Sequence, residues 1–153
     1  MSPGVIALIV ALAVAVAAGL AWRRANGRMR AAAPDGAARA AGRPGEPAPN
    51  PGPVITGAEL GLPLGERATL VQFSTAFCAP CRATRQILAE VAGMTDGVAH
   101  VEIDAESHLD LVRRLDIRRT PTVLVVGPDG RIAKRASGQP RKADVIAALG
   151  DVC

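Results

Sequence analysis

Phe73-Ser74-Thr75-Ala76-Phe77-Cys78-Ala79-Pro80-Cys81-Arg82 marks a change of pattern in the chain. Before it, Ala68 to Phe73 is an apolar run with a polar break at Gln72, which reads as a buried strand. After it, Arg82 to Ala92 carries helix-forming residues, with Ile87, Leu88 and Val91 on one face and Gly93 as a stop. Two cysteines in Cys-x-x-Cys spacing sit at the junction. A helix N-terminus offers unsatisfied N–H groups and partial positive charge. A cysteine there holds its thiolate at neutral pH, and the thiolate is the nucleophile. The second cysteine lies about one turn on, placed to attack a mixed disulfide formed by the first. Strand, Cys-x-x-Cys and helix together imply thiol–disulfide exchange chemistry.

The 153 residues suffice for one domain plus appendages. Alanine and valine make up much of the 49% apolar share and aromatics only 2%, so the core must be built from small aliphatic side chains. The net charge of +4 does not indicate nucleic acid. Six arginines fall between Arg23 and Arg43, directly after an apolar segment, and no aromatics interleave with them. That placement fits a membrane flank. The three cysteines, Cys78, Cys81 and Cys153, are too few for a disulfide scaffold. No second Cys-x-x-Cys completes a zinc site, and His100 and His108 stand isolated.

Residues 1–24 read as an N-terminal transmembrane anchor. Val5 to Ala21 has no charged or polar side chain, Trp22 suits the interface and Arg23-Arg24 suit the headgroups. A cleaved signal peptide is the competing reading. Ala15, Ala17 and Ala18 supply small residues for cleavage, but no Lys or Arg precedes the apolar run. A retained single-pass anchor in the cell membrane is therefore expected. With all six arginines after the segment, the positive-inside rule puts the N-terminus outside and the remainder in the cytoplasm. Residues 25–53 are rich in Ala, Gly, Pro and Arg, with prolines at Pro34, Pro44, Pro47, Pro49, Pro51 and Pro53. They read as a disordered, partly polyproline linker that gives the domain reach.

The domain proper spans 54–153. Val54-Ile55-Thr56 is expected as a short strand and Gly57 to Gly65 as loop with a turn of helix. Val98 to Asp104 alternates as a strand, and Leu109, Leu111, Val112 and Leu115 form a helical face. Thr122 to Val126 is a β-branched run, and Gly127-Pro128-Asp129-Gly130 is a turn. Arg131 to Ser137 returns as its antiparallel partner, and Lys142 to Leu149 closes as a helix with Val145, Ile146 and Leu149 inward. A parallel β-α-β start followed by a hairpin gives an α/β fold, a mixed central sheet with helices on both faces.

That order, with Cys-x-x-Cys after the first strand, resembles the thioredoxin family over roughly Ala68 to Leu149. Cys78-Ala79-Pro80-Cys81-Arg82 is similar to the family's Cys-Gly-Pro-Cys-Lys/Arg. Val98 to Asp104 resembles its second core strand, Ile117 to Thr122 its cis-proline loop, and Ser137-Gly138-Gln139 the glycine turn before the last helix. The resemblance implies a thioredoxin fold, with Cys78 attacking and Cys81 resolving. It implies a cis Pro121 with Thr120 presenting backbone to the substrate, and active-site support from Phe77, Pro80 and Gln72. Protein disulfides would be the substrates. No cofactor is needed within the chain, so electrons come from an external reductant such as a thioredoxin reductase or a membrane thiol carrier.

The departures bear on rate and redox poise. Gln72 stands where the family has a buried aspartate, and His100 where it has the partner lysine. Ser74 and Phe77 replace flanking tryptophans, Ala79 replaces a glycine between the cysteines, and Arg119 replaces a glycine before the cis-proline. Loss of the buried negative charge eases ionisation of both cysteines, which predicts a more oxidising potential than a typical thioredoxin. His100 reads as a strand histidine without a catalytic role, and Cys153 as an exposed, incidental thiol. The sequence leaves two rivals to a tethered reductase. One is an exported reductase of the cytochrome c maturation type, and the other a non-catalytic module that binds a soft metal or a partner.

Overall fold

The computed structural model describes residues 3–25, 27–32 and 53–153. The first element is helix α1, Pro3–Ala25. From Pro3 to Trp22 none of it is buried, and its valines, leucines and isoleucines face outward all round. Those 20 residues span about 30 Å, the thickness of a bilayer's hydrocarbon core.

Strand β2 (Ala68–Ser74) is the centre of the domain, and all seven of its residues are buried. It pairs in parallel with β3 (Val98–Asp104) and antiparallel with β4 (Thr122–Val126), which pairs antiparallel with β5 (Ile132–Ser137). Alternation along β2 divides the core in two. Leu70 faces a cluster with Leu88, Val91, Val123, Val125, Val145 and Leu149, under α3 (Ala79–Gly93) and α5 (Lys142–Gly150). Val71 and Phe73 face a second cluster with Ile55, Leu60, Val101, Ile103, Leu115 and Leu124, under α2 (Gly57–Leu60) and α4 (Leu109–Arg114). The expected mixed sheet with helices on both faces is thus in place.

Three expectations shift. Val54-Ile55-Thr56 reduces to one bridge, Val54 to Arg131, because Thr56 turns to cap α2. The Glu59 carboxylate accepts the Thr56 N–H at 2.8 Å, and the Thr56 hydroxyl accepts the Glu59 N–H. On α5 the inward residues are Val145, Ala148 and Leu149, while Ile146 is exposed. On α4, Leu109 is exposed at the first position and Leu111 carries the burial.

The largest correction falls in the expected linker. Residues 27–32 lie along β5 instead of hanging free, and Arg30–Ala31 form a fifth strand, β1. Arg30 pairs with Arg135 and Ala31 with Lys134, giving the order β1-β5-β4-β2-β3. The Gly27 N–H donates to the Ser137 carbonyl and the Ala32 N–H to the Ala133 carbonyl, each at 3.0 Å. Met29 packs against the α5 cluster and Ala32 against the other. Gly27 is buried with φ of +76°, and a Cβ there would stand 1.9 Å from the Gln139 carbonyl oxygen. Only glycine fits that approach. The expected polyproline stretch, 33–52, lies outside the described residues.

Candidate active site

Helix α3 begins three residues earlier than its sequence pattern indicates, and this places both cysteines in its first turn. Cys78 is the N-cap, and Pro80 sits in the first turn where its missing N–H breaks no helical bond. The Cys81 N–H donates to the Cys78 carbonyl at 3.1 Å, and the Cys78 N–H to the Thr75 carbonyl at 3.3 Å. Cys78 and Cys81 form a disulfide, with Cα atoms 5.2 Å apart. Cys78 is partly exposed and Cys81 is 2% exposed. One sulfur is therefore open to an incoming partner and the other is shielded from it. Inside the helix, the Thr84 hydroxyl donates to the Pro80 carbonyl at 2.9 Å.

The loop before β4 closes the other side. The Thr120–Pro121 bond is cis, Pro121 is buried and Thr120 is half-exposed. The hydroxyls of Thr75 and Thr120 meet at 3.2 Å, joining this loop to the Cys-x-x-Cys loop. The Gly138 N–H donates to the Pro121 carbonyl at 2.7 Å, and the Thr122 hydroxyl to the Arg119 carbonyl at 2.7 Å. Arg119 reaches the Ser137 carbonyl at 2.9 Å.

Of the expected supports, Gln72 is fully buried and its side-chain amide donates to the Cys81 carbonyl at 2.9 Å. Its Oε1 is buried and has no hydrogen-bond partner. Phe77 does not serve as internal support: its side chain is fully exposed next to Cys78. His100 is half-buried on β3 and its Nε2 has no partner. Burial lowers its pKa below 6.5, Glu102 works against that and Arg85 adds to it. The ring is therefore neutral at pH 7.

A polar cluster escaped the sequence reading. The β2–β3 register sets Gln72 beside Glu102 and Ser74 beside Asp104. Glu102 accepts hydrogen bonds from the Ser74 hydroxyl and from Arg85 of α3, each at 2.7 Å, and pairs with Arg85 at 2.6 Å. Burial pushes the Glu102 carboxyl up, but the bonds from Arg85 and Ser74 outweigh it and hold the group below 4.5. Ser74, Glu102, Arg85, Cys78 and Cys81 all line one cleft of about 490 Å³. The small residue at 74 was visible in the sequence, but its partners depend on strand register. Among the described residues, no group of three His, Cys, Asp or Glu gathers as a metal site.

The family model described as Thioredoxin matches residues 62–151. The chain belongs to the thioredoxin family. Its thioredoxin domain is 30% identical over 89 residues to the thioredoxin of Alicyclobacillus acidocaldarius, covering 58% of this chain and 84% of that one. It is 28% identical to thioredoxin H5 of Oryza sativa over 72 residues, or 47% of this chain and 53% of the rice protein. The chain spans about half of that rice relative's length. Among solved structures it resembles chloroplastic thioredoxin z, with a TM-score of 0.55 and 28% identity over 64% of this chain and 90% of that one.

Proposed function

We propose that this protein is a membrane-tethered thiol–disulfide oxidoreductase that reduces protein disulfides. The observation that carries the reading is the Cys78–Cys81 pair at the start of α3, one sulfur open and the other buried. In the reduced domain the Cys78 thiolate, stabilised by the helix N-terminus, attacks one sulfur of a substrate disulfide. A Cys78–substrate disulfide forms and the first substrate thiolate leaves and takes a proton. Cys81 then loses its proton and attacks Cys78, releasing the second substrate thiol. The domain ends with Cys78–Cys81 oxidised and the substrate with two thiols. Thr120 and Pro121 form the shelf against which substrate backbone docks beside Cys78. An external dithiol donor, such as a thioredoxin reductase or a membrane thiol carrier, restores the reduced pair.

Helix α1 is the anchor in this reading, supported by its uninterrupted apolar surface and by Arg23-Arg24 after it. The arginine bias favours the cytoplasmic face for the domain. The test uses the full chain in nanodiscs with insulin as disulfide substrate. Cys81→Ser is expected to accumulate a covalent insulin adduct that dithiothreitol releases, while Cys78→Ser forms none. An adduct that persists in Cys78→Ser overturns the assignment of the attacking residue. Failure of the wild-type chain to reduce insulin overturns the exchange reading.

A further inference from the structure

Strand β1 fixes where the chain leaving α1 joins the sheet. α1 ends at Ala25, and two residues later the Gly27 N–H is bonded to the Ser137 carbonyl. Ser137 is the last residue of β5 and pairs with Thr122, the first of β4, directly after Pro121. Thr122 in turn pairs with Phe73 at the end of β2 that leads into Cys78. The chain from the membrane helix therefore joins the sheet at its Cys-x-x-Cys end, and β1 runs from there toward the opposite end. At ordinary strand spacing, β1 lies three strands or about 14 Å from β2. The same Ser137 carbonyl also accepts the Arg119 guanidinium, so the strap and the Thr120-Pro121 loop share one acceptor. Gly27 cannot be replaced without pushing this junction apart, since its missing Cβ makes room for the Gln139 carbonyl.

Resting on the reading of α1 as an anchor and of Cys78–Cys81 as an exchange pair, we propose that residues 27–32 are an orienting strap. It holds the active-site end of the domain against the membrane surface. The partner it selects is a cysteine pair of an integral membrane protein, carried within a few residues of the bilayer. A long free linker would give the active site a wide radius of action. A strap that begins two residues from the membrane helix removes it, and leaves Cys78, Thr120 and the exposed Phe77 on the rim nearest the headgroups. The exchange is the one given above: the membrane partner's disulfide takes two electrons and two protons, and Cys78–Cys81 becomes the disulfide.

The test places the reduced full chain in nanodiscs with a single-span model peptide. The peptide carries an oxidised Cys-x-x-Cys at both ends, so either orientation presents one. In one peptide the pair follows the span directly. In the other it stands on a rigid helical spacer of about 25 residues, or about 38 Å. Tethering makes the rate a matter of effective concentration, which collapses when geometry forbids contact, so the wild type is expected to reduce the near pair at least about tenfold faster. Two variants free the domain: Gly27→Val, which cannot dock, and a flexible Gly/Ser insertion of about 20 residues between Ala25 and Gly27, which leaves every side chain in place. In both, the near-to-far ratio is expected to fall toward one while the rate with insulin stays unchanged. Equal wild-type rates on the two peptides overturn the proposal, as does a ratio that survives the insertion. Loss of the insulin reaction in the wild type overturns the exchange reading instead. If Gly27→Val alone loses it, that variant has disturbed the fold and the insertion decides.

Discussion

Gln72 sets the electrostatics of the candidate site by being neutral. It lies fully buried under Cys81 and ties that residue's carbonyl with its amide, yet it brings no charge near either sulfur. The dithiol form is then spared repulsion from a buried carboxylate, and the potential is expected above the roughly −270 mV of a typical thioredoxin. Equilibration of the full chain with glutathione buffers checks this, and a value at or below that level refutes it. Gln72→Asp is expected to lower the potential by roughly 30 mV, about 1.4 kcal/mol for a two-electron couple. His100 makes a different prediction. Its folded pKa is depressed, chiefly by burial, so the unfolded chain takes up the proton first as pH falls below 6.5. The stability tied to the neutral ring is present above that pH and is lost as pH drops toward the folded value. His100→Leu removes both this titration and an unpaired buried nitrogen. Unfolding midpoints between about pH 8 and pH 5 should therefore fall less steeply in the variant than in the wild type.

At the scale of elements, α2 shows how much a short helix owes to its ends. Its four residues are held by the reciprocal Thr56–Glu59 cap, and Glu59 is also paired with Arg114 of α4. Arg114 donates to the Val54 carbonyl as well, at 2.9 Å. Thr56→Ala is expected to cost about 1 kcal/mol in urea unfolding, with the slope of the transition unchanged. A cost near zero would mean that Glu59 and Arg114 hold α2 without the cap. The alternation of β3, the β-branched run of β4 and the turn at Gly127–Gly130 were legible in the sequence, whereas Thr56 read as the end of a strand and its cap on Glu59 was missed. The start of α3 was less so, because a proline in a first turn resembles a break. β1 was not legible at all. Met29-Arg30-Ala31-Ala32 has no β-branched residue and no alternation, and its extended form is imposed by β5, more than 100 residues away in sequence. The cluster of Ser74, Glu102 and Arg85 was hidden for the same reason: no local pattern encodes which residue a parallel neighbour presents.

For the molecule as a whole, the Cys-x-x-Cys, the cis-proline loop and the order of the elements were readable because each has a local signature. What was unreadable is how residues 27–32 meet the domain. That meeting has a consequence for anyone who cuts the chain. A fragment starting at Val54 loses β1, and the outward N–H and C=O groups of β5 are left as an open template for pairing. Lys134 and Arg135 are the only charged residues on β5 and both are partly buried, with Lys134 bridged to Asp151 and Arg135 bonded to the Leu115 carbonyl. They are poorly free to repel a second copy. Sedimentation of such a fragment is expected to show concentration-dependent dimers, whereas a fragment starting at Gly27 stays monomeric under the same conditions. Equal monomeric behaviour of the two would show that β5 guards itself. The few residues after α1 thus cover an edge that invites self-association, and proteolysis between residue 32 and Val54, with loss of β1, is expected to turn a monomeric domain into a self-associating one.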